Sequence, residues 1–215
     1  MRQNGCRARA PARPEPPAAL AAAHNRDPRA SGLECAFPSA AREDPAMTST
    51  RTARMLTRYN AWANRTIFDG VAALPPGEAT KERPSLFKSM VRTLNHLYVV
   101  DLIWQAHLEG RPHNIPALNH VVHPELEPLY RAQREIDQWY VEWSDKLADA
   151  DLDRRVGFAL LSGNKGEMAV RDIVFHLVNH TSYHRGFVAD LFYQVPAVPP
   201  LTDLPIFLRE HGEPR

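Results

Sequence analysis

Cysteine is almost absent from this chain of 215 residues: there are two, Cys6 and Cys35, and both fall within the first 46 positions. The remainder therefore has no disulfide framework and no thiolate to act as nucleophile or metal ligand. That fits a reducing, cytoplasmic setting, and any thiol chemistry must come from a second substrate. Long apolar runs are missing too. No stretch approaches the roughly 18–20 apolar residues of a spanning helix, so no membrane partner is expected. An excess of one charge is also lacking: the net charge is +1, and beyond residue 46 the chain carries 19 Lys and Arg against 20 Asp and Glu. A domain so balanced has no electrostatic reason to bind nucleic acid. Phosphate loops, dinucleotide fingerprints, nucleophile elbows and the Glu-x-x-His repeats of di-iron bundles do not occur. Ser162-Gly163-Asn164-Lys165-Gly166 has the composition of a phosphate loop but not its order, and reads as a turn.

What is present has the balance of a globular protein, with 44% apolar and 24% charged residues. Residues 1–46 stand apart, holding thirteen Ala, seven Pro and seven Arg without a sustained apolar period. Prolines at 11, 14, 16 and 17 interrupt any helix the alanines would form, so a disordered tail is expected there. Glu15, Asp27, Glu34, Glu43 and Asp44 argue against an organelle leader. Met47 stands just before the first helical pattern, which leaves an upstream extension of the start site as the alternative. Residues 47–215 are expected to form the folded domain.

Apolar spacing predicts four helices. The first covers about residues 50–74, with Leu56, Tyr59, Ala63, Ile67 and Val71 on one face and Pro75-Pro76-Gly77 as its stop. Ser85 is the expected N-cap of the second, which places Leu86, Met90, Leu94, Leu97, Trp104 and Leu108 on one side and ends at Gly110. The third follows Pro124, carries Leu129, Ile136, Trp139, Tyr140, Trp143 and Leu147, and runs to about residue 150. Residues 155–169 suggest a small hairpin around the Ser-Gly-Asn-Lys-Gly turn. The fourth helix spans about residues 169–194, before Pro196. Four such helices, each with one apolar stripe, bury those stripes most simply against one another, giving an all-α four-helix bundle.

The informative stretch is His176-Leu177-Val178-Asn179-His180-Thr181-Ser182-Tyr183-His184-Arg185-Gly186. At about 100° per residue, with His180 as zero, His184 falls near +40°, Leu177 near +60° and Phe187 near −20°, which puts both histidines on the expected core stripe. Buried imidazoles need partners, at a cost of about 1–3 kcal/mol per polar group left without one. A shared metal ion would supply them, and the i, i+4 spacing is that of the helical histidine pair in many zinc sites. His96, mid-way along the second helix, is the candidate third ligand. Three histidines leave a coordination position open to water or substrate. His176 and His180 form an equally spaced pair, however, and spacing alone does not choose between the two. Ordinary hydrogen-bonded core histidines are the bland alternative.

Asn179-His180-x-x-x-His184-Arg185-Gly186 resembles the C-terminal metal motif of the DinB/YfiT family of bacterial proteins. Leu94-Asn95-His96-Leu97 with Asp101, and Tyr59-Asn60-x-Trp62-Ala63-Asn64, are similar to that family's second- and first-helix patterns. The resemblance covers residues 51 to about 194. It implies an up-down-down-up bundle and a single divalent ion, zinc or nickel, held by His96, His180 and His184, with His176 as a neighbour. Members often carry Gln after the Arg-Gly pair, where this chain has Phe187, so the pocket beside the metal is expected to be more apolar. Asp101 is expected either to orient a ligating imidazole or to pair with a surface cation. Tyr183 and Asn179 are expected to pack rather than line the cavity, and the four tryptophans to serve the core or a dimer interface.

Three functions follow from these residues. The resembled superfamily includes transferases that use low-molecular-weight thiols, which implies a metal-dependent S-transferase acting on a small-molecule electrophile, as a homodimer. The second is a non-catalytic metal- or ligand-binding protein linked to stress. The third is a bundle whose site only stabilises the fold.

Overall fold

The computed structural model describes residues 49–212, so the tail expected over residues 1–46 lies outside the described residues. Four long helices form the bundle: α1 (Thr50–Ala72), α2 (Met90–Leu108), α3 (Leu126–Asp145) and α4 (Val170–Phe192). α1 packs on α3 and α4, and α2 packs on the same two, so α1 and α2 stand diagonally opposed. The all-α bundle expected from the apolar periods is the fold observed. The hairpin is present as well: β1 (Arg155–Ala159) pairs antiparallel with β2 (Lys165–Ala169), Arg155 facing Ala169 and Ala159 facing Lys165. Gly163, at φ +87°, turns the chain between them.

Helix ends follow local chemistry. α2 does not begin at Ser85 as expected. Lys88 adopts φ +65°, and its carbonyl accepts a bond from the Arg83 amide, closing a loop that leaves Leu86 73% exposed. Ser89 takes the cap instead, its hydroxyl oxygen accepting from the Arg92 amide at 3.2 Å. At the other end Gly110 takes φ +67°, and the amides of Gly110 and Arg111 bond back to His107 and Ala106, the paired bonds of a Schellman stop. α3 ends at Asp145 rather than near 150. The Arg54 guanidinium reaches across from α1 and donates to the carbonyls of Ser144, Asp145 and Leu147, satisfying groups that a longer helix would have bonded internally.

A fifth helix, α5 (Leu204–His211), was not expected. It is short, with Pro205 in its first turn, and it is held by Phe207, whose ring packs against Tyr59 and Trp62 of α1.

The core divides along the bundle axis. One apolar cluster gathers Leu56, Trp104, Ile136, Tyr140, Ile173 and Leu177; another gathers Ile67, Phe68, Leu94, Leu97, Leu129 and Leu191. Each such side chain contributes roughly 1.5–3 kcal/mol by leaving water. Between the clusters lies a buried polar layer of Asn60 and Asn64 (α1), Asp101 (α2), Gln133 and Asp137 (α3), and Thr181 and Arg185 (α4).

Candidate metal centre

α4 turns a different face inward from the one the histidine spacing suggested. Its buried positions include Ile173, Val174, Leu177, Thr181, Arg185, Val188 and Phe192, and their centre lies about 80° from His180 on the helical wheel. His180 and His184 therefore occupy the flank of the buried face. His184 is 6% exposed and His180 is half-buried. That flank faces α2, which brings His96, 5% exposed, to the same level.

The three rings converge through their Nε2 atoms. His96 Nε2 lies 3.1 Å from His180 Nε2 and 3.1 Å from His184 Nε2. Three nitrogens about 2.0–2.1 Å from one tetrahedral ion would lie roughly 3.4 Å apart, so the cluster is slightly tighter than such a site requires. The tautomer of His96 is fixed. Its Nδ1 donates to the Leu118 carbonyl at 2.8 Å, which leaves a lone pair on Nε2 aimed at the other two rings. A cation among the three Nε2 lone pairs would satisfy all of them together, while Nδ1 of His180 and of His184 is without a partner whichever nitrogen carries the proton. Three neutral imidazoles suit zinc, nickel, copper or iron.

Electrostatics keep the rings neutral. Burial, with the neighbouring His184, His96 and His176, pushes His180 down to about 3. Burial and then His96 bring His184 to about 4. Burial also lowers His96, against the opposing influence of the Leu118 bond. Unprotonated nitrogens at neutral pH are the form a metal needs.

Among the described residues, His96, His180 and His184 are the group of three whose nitrogens lie within 4.8 Å of one another and could hold a metal ion. His176 stays outside it, its ring 5.7 Å from His180 and 5.1 Å from Trp104. Phe87 stacks on His96 at 4.5 Å, and half-buried Phe187 meets His184 edge-on at 5.4 Å, as its wheel position implied. Tyr183 departs from expectation: it does not pack into the core but stands 62% exposed, edge to His184 at 5.0 Å.

Asp101 meets neither reading made of it. It is buried and makes no bond to a histidine or a surface cation; Oδ2 accepts from Gln133 Nε2 at 2.8 Å. It belongs to the polar layer, whose linkage the motifs did not reveal. Arg185 Nη1 donates to Asn60 Oδ1 and Asn64 Oδ1 at 2.8 Å each, Nη2 donates to Ser182 Oγ at 2.8 Å, and Thr181 Oγ1 donates to Asn60 Oδ1 at 2.5 Å. The available signal was polar residues recurring on the inward face of an apolar pattern, which have to pair with one another once buried.

Fold and site together define a four-helix bundle with a histidine cluster that could hold a metal, built by two adjacent helices. The chain belongs to the DinB family: the model of that family matches residues 47–215. It is 26% identical over 159 residues to Protein DinB of Bacillus subtilis, a match covering 71% of this chain and 91% of that protein. The crystal structure of a DinB-like protein from Bacillus cereus aligns with a TM-score of 0.52 at 17% identity, over 67% of this chain and 91% of the other, and supports the fold. No helix among the described residues is long and apolar enough to cross a membrane.

Proposed function

We propose that this DinB family protein holds one divalent ion, zinc or nickel, on His96, His180 and His184, and serves as a metal-dependent transferase that joins a low-molecular-weight thiol to a small-molecule electrophile. The observation that carries the reading is the convergence of three Nε2 atoms, 3.1 Å from His96 to each of the others, from two different helices. When bound with a vacant position, such an ion would favour the thiolate form of a coordinated thiol. The chain supplies the rest. His96 is oriented by the Leu118 carbonyl, the lowered basicity of His180 and His184 keeps protons off the donor nitrogens, and the rings of Phe87 and Phe187 shield the cluster from water. The histidines act as ligands, not as acid or base.

Metal analysis of tag-free protein, followed by conjugation of a chromogenic electrophile with a panel of thiols, tests the reading. One ion per chain and a metal-dependent rate with at least one thiol are expected; no such rate across the panel counts against it. A second reading, binding without turnover, is favoured by one observation. No carboxylate joins the cluster among the described residues, and Asp101, the nearest expected one, turns to Gln133.

A further inference from the structure

The ring environment of the histidine cluster is lopsided. Phe87 lies flat on His96, 4.5 Å away and inclined by 22°, and edge-on to His184 at 5.5 Å. Phe187 and Tyr183 meet His184 edge-on at 5.4 and 5.0 Å, and each other at 4.7 Å. Phe87 and Phe187 are half-buried and Tyr183 largely exposed, so all three keep ring surface uncovered beside the cluster. Leu118, whose carbonyl holds His96, also exposes its side chain.

None of these side chains is needed to close the core. The inward face of α4 is already filled at this level by Thr181, Arg185 and Val188. Nor does a cation occupy the rings: among the described residues, the cations stacked on aromatic faces are Arg134 on Tyr130 and Arg185 on Tyr59. Aromatic side chains left open in this way attract a further ring, because edge-to-face and offset contacts add to the gain from removing apolar surface from water. The near-complete burial of His96 and His184 restricts the occupant to something slender; a protein surface could not reach their nitrogens.

We infer that the small molecule served by this centre carries a planar aromatic group, which lies against Phe87, Tyr183 and Phe187 while its polar end reaches the three-histidine site. This rests on the metal-binding reading above but not on turnover. The three rings set specificity and touch no reacting atom.

Two metal-binding probes with one head and different tails separate these ideas. Acetohydroxamate and benzohydroxamate would be titrated calorimetrically into full-length protein loaded with zinc. Benzohydroxamate is expected to bind roughly tenfold to a hundredfold more tightly, the effect of a sheltered phenyl ring in place of a methyl. Phe187→Ala and Phe87→Ala, each reloaded to the zinc content of the parent before titration, should bring the ratio toward one. Equal affinities in the parent protein, or a ratio that survives both substitutions, overturn the inference and leave the metal reading intact. If neither hydroxamate binds zinc-loaded protein, the inference falls together with the open coordination position. Should sedimentation show a dimer that Tyr183→Ala dissociates, with both probes binding alike, the rings belong to an interface between copies and the inference is overturned.

Discussion

Asn64 stands between Arg185 and Asp137: its carbonyl oxygen accepts from the guanidinium at 2.8 Å and its amide donates to the carboxylate at 2.9 Å. One side chain of α1 thus carries the bond from the helix bearing two histidines to α3. Gln133 extends the link, its amide donating to Asp137 at 3.1 Å and to Asp101 at 2.8 Å. All four helices are tied by this layer, at the level where His184 precedes Arg185 in the chain. Burial raises both carboxyls above the usual carboxylate range, Asp137 to about 7, while the nearby Arg185 guanidinium draws each of them down.

Arg185→Met should therefore be strongly destabilising. The side chain is 2% exposed and makes three hydrogen bonds, so its removal strips a donor from each of two buried asparagine oxygens and takes the guanidinium charge away from the two nearby acids. A loss of roughly 3 kcal/mol or more in urea denaturation is expected. A loss under about 1 kcal/mol would show that the layer relaxes around the gap.

The pH dependence of Asp137 has a definite sign. Its folded pKa lies above the unfolded value, so the unfolded chain loses its proton first as pH rises. The stability that Asp137 contributes is complete below about pH 4 and is lost on passing through about pH 7. Asp137→Asn keeps an oxygen able to accept from Gln133 and Asn64 but cannot ionise. Its stability relative to the parent should improve between about pH 4 and about pH 8, read from urea midpoints; a constant difference contradicts the assignment.

Replacing the histidines singly separates ligands from bystanders. His96→Ala, His180→Ala and His184→Ala should each lower metal affinity by more than the roughly 10- to 100-fold that loss of a supporting hydrogen bond costs. His176→Ala should leave metal content unchanged, because its ring stays outside the cluster. Elemental analysis after dialysis against a weak chelator gives the answer. A loss from His176→Ala equal to those from His180→Ala and His184→Ala would point to a general disturbance of α4.

In metal-free protein, His180 and His184 should remain neutral to well below pH 6, since burial, with His184, His96 and His176 beside His180 and His96 beside His184, brings them to about 3 and about 4. Their folded pKa values lie under the unfolded one, so the stability they contribute is present above about pH 6.5 and declines as the solution is acidified toward about pH 3–4. Ring-proton shifts followed by NMR test this. Titration of either residue near 6.5 would contradict the neutral cluster.

Much of the bundle was legible because apolar period and breakers agree: Pro75-Pro76-Gly77, Gly110 and Pro196 all sit close beyond helix ends. The i, i+4 spacing drew attention to the histidines of α4 without choosing between its two pairs, and only the family resemblance singled out His180 with His184. Sequence was less informative where two residues could do one task. Ser85 is the cap expected and Ser89 is the cap observed, because the start of α2 depends on a loop that carries Phe87 to His96, a contact between segments that local propensity does not encode. α5 escaped notice because eight residues give too few turns for a period, and its stability comes from Phe207 meeting Tyr59 and Trp62. The inward face of α4 differs from the one centred on the histidines because three acceptors, Asn60, Asn64 and Ser182, make burial of Arg185 possible.

The acceptor that orients His96 is a main-chain oxygen, held in the connection between α2 and α3. Asn95 secures the same connection, receiving the amides of Val122 and His123 on its oxygen and donating to the His123 carbonyl. Substituting the side chain at 118 cannot delete that acceptor. Drift in composition along this stretch is therefore tolerable, whereas an insertion or deletion between residues 110 and 121 would slide the carbonyl out of register and release the imidazole to rotate. Chain length there, more than residue identity, is the quantity that selection on the cluster would have to preserve.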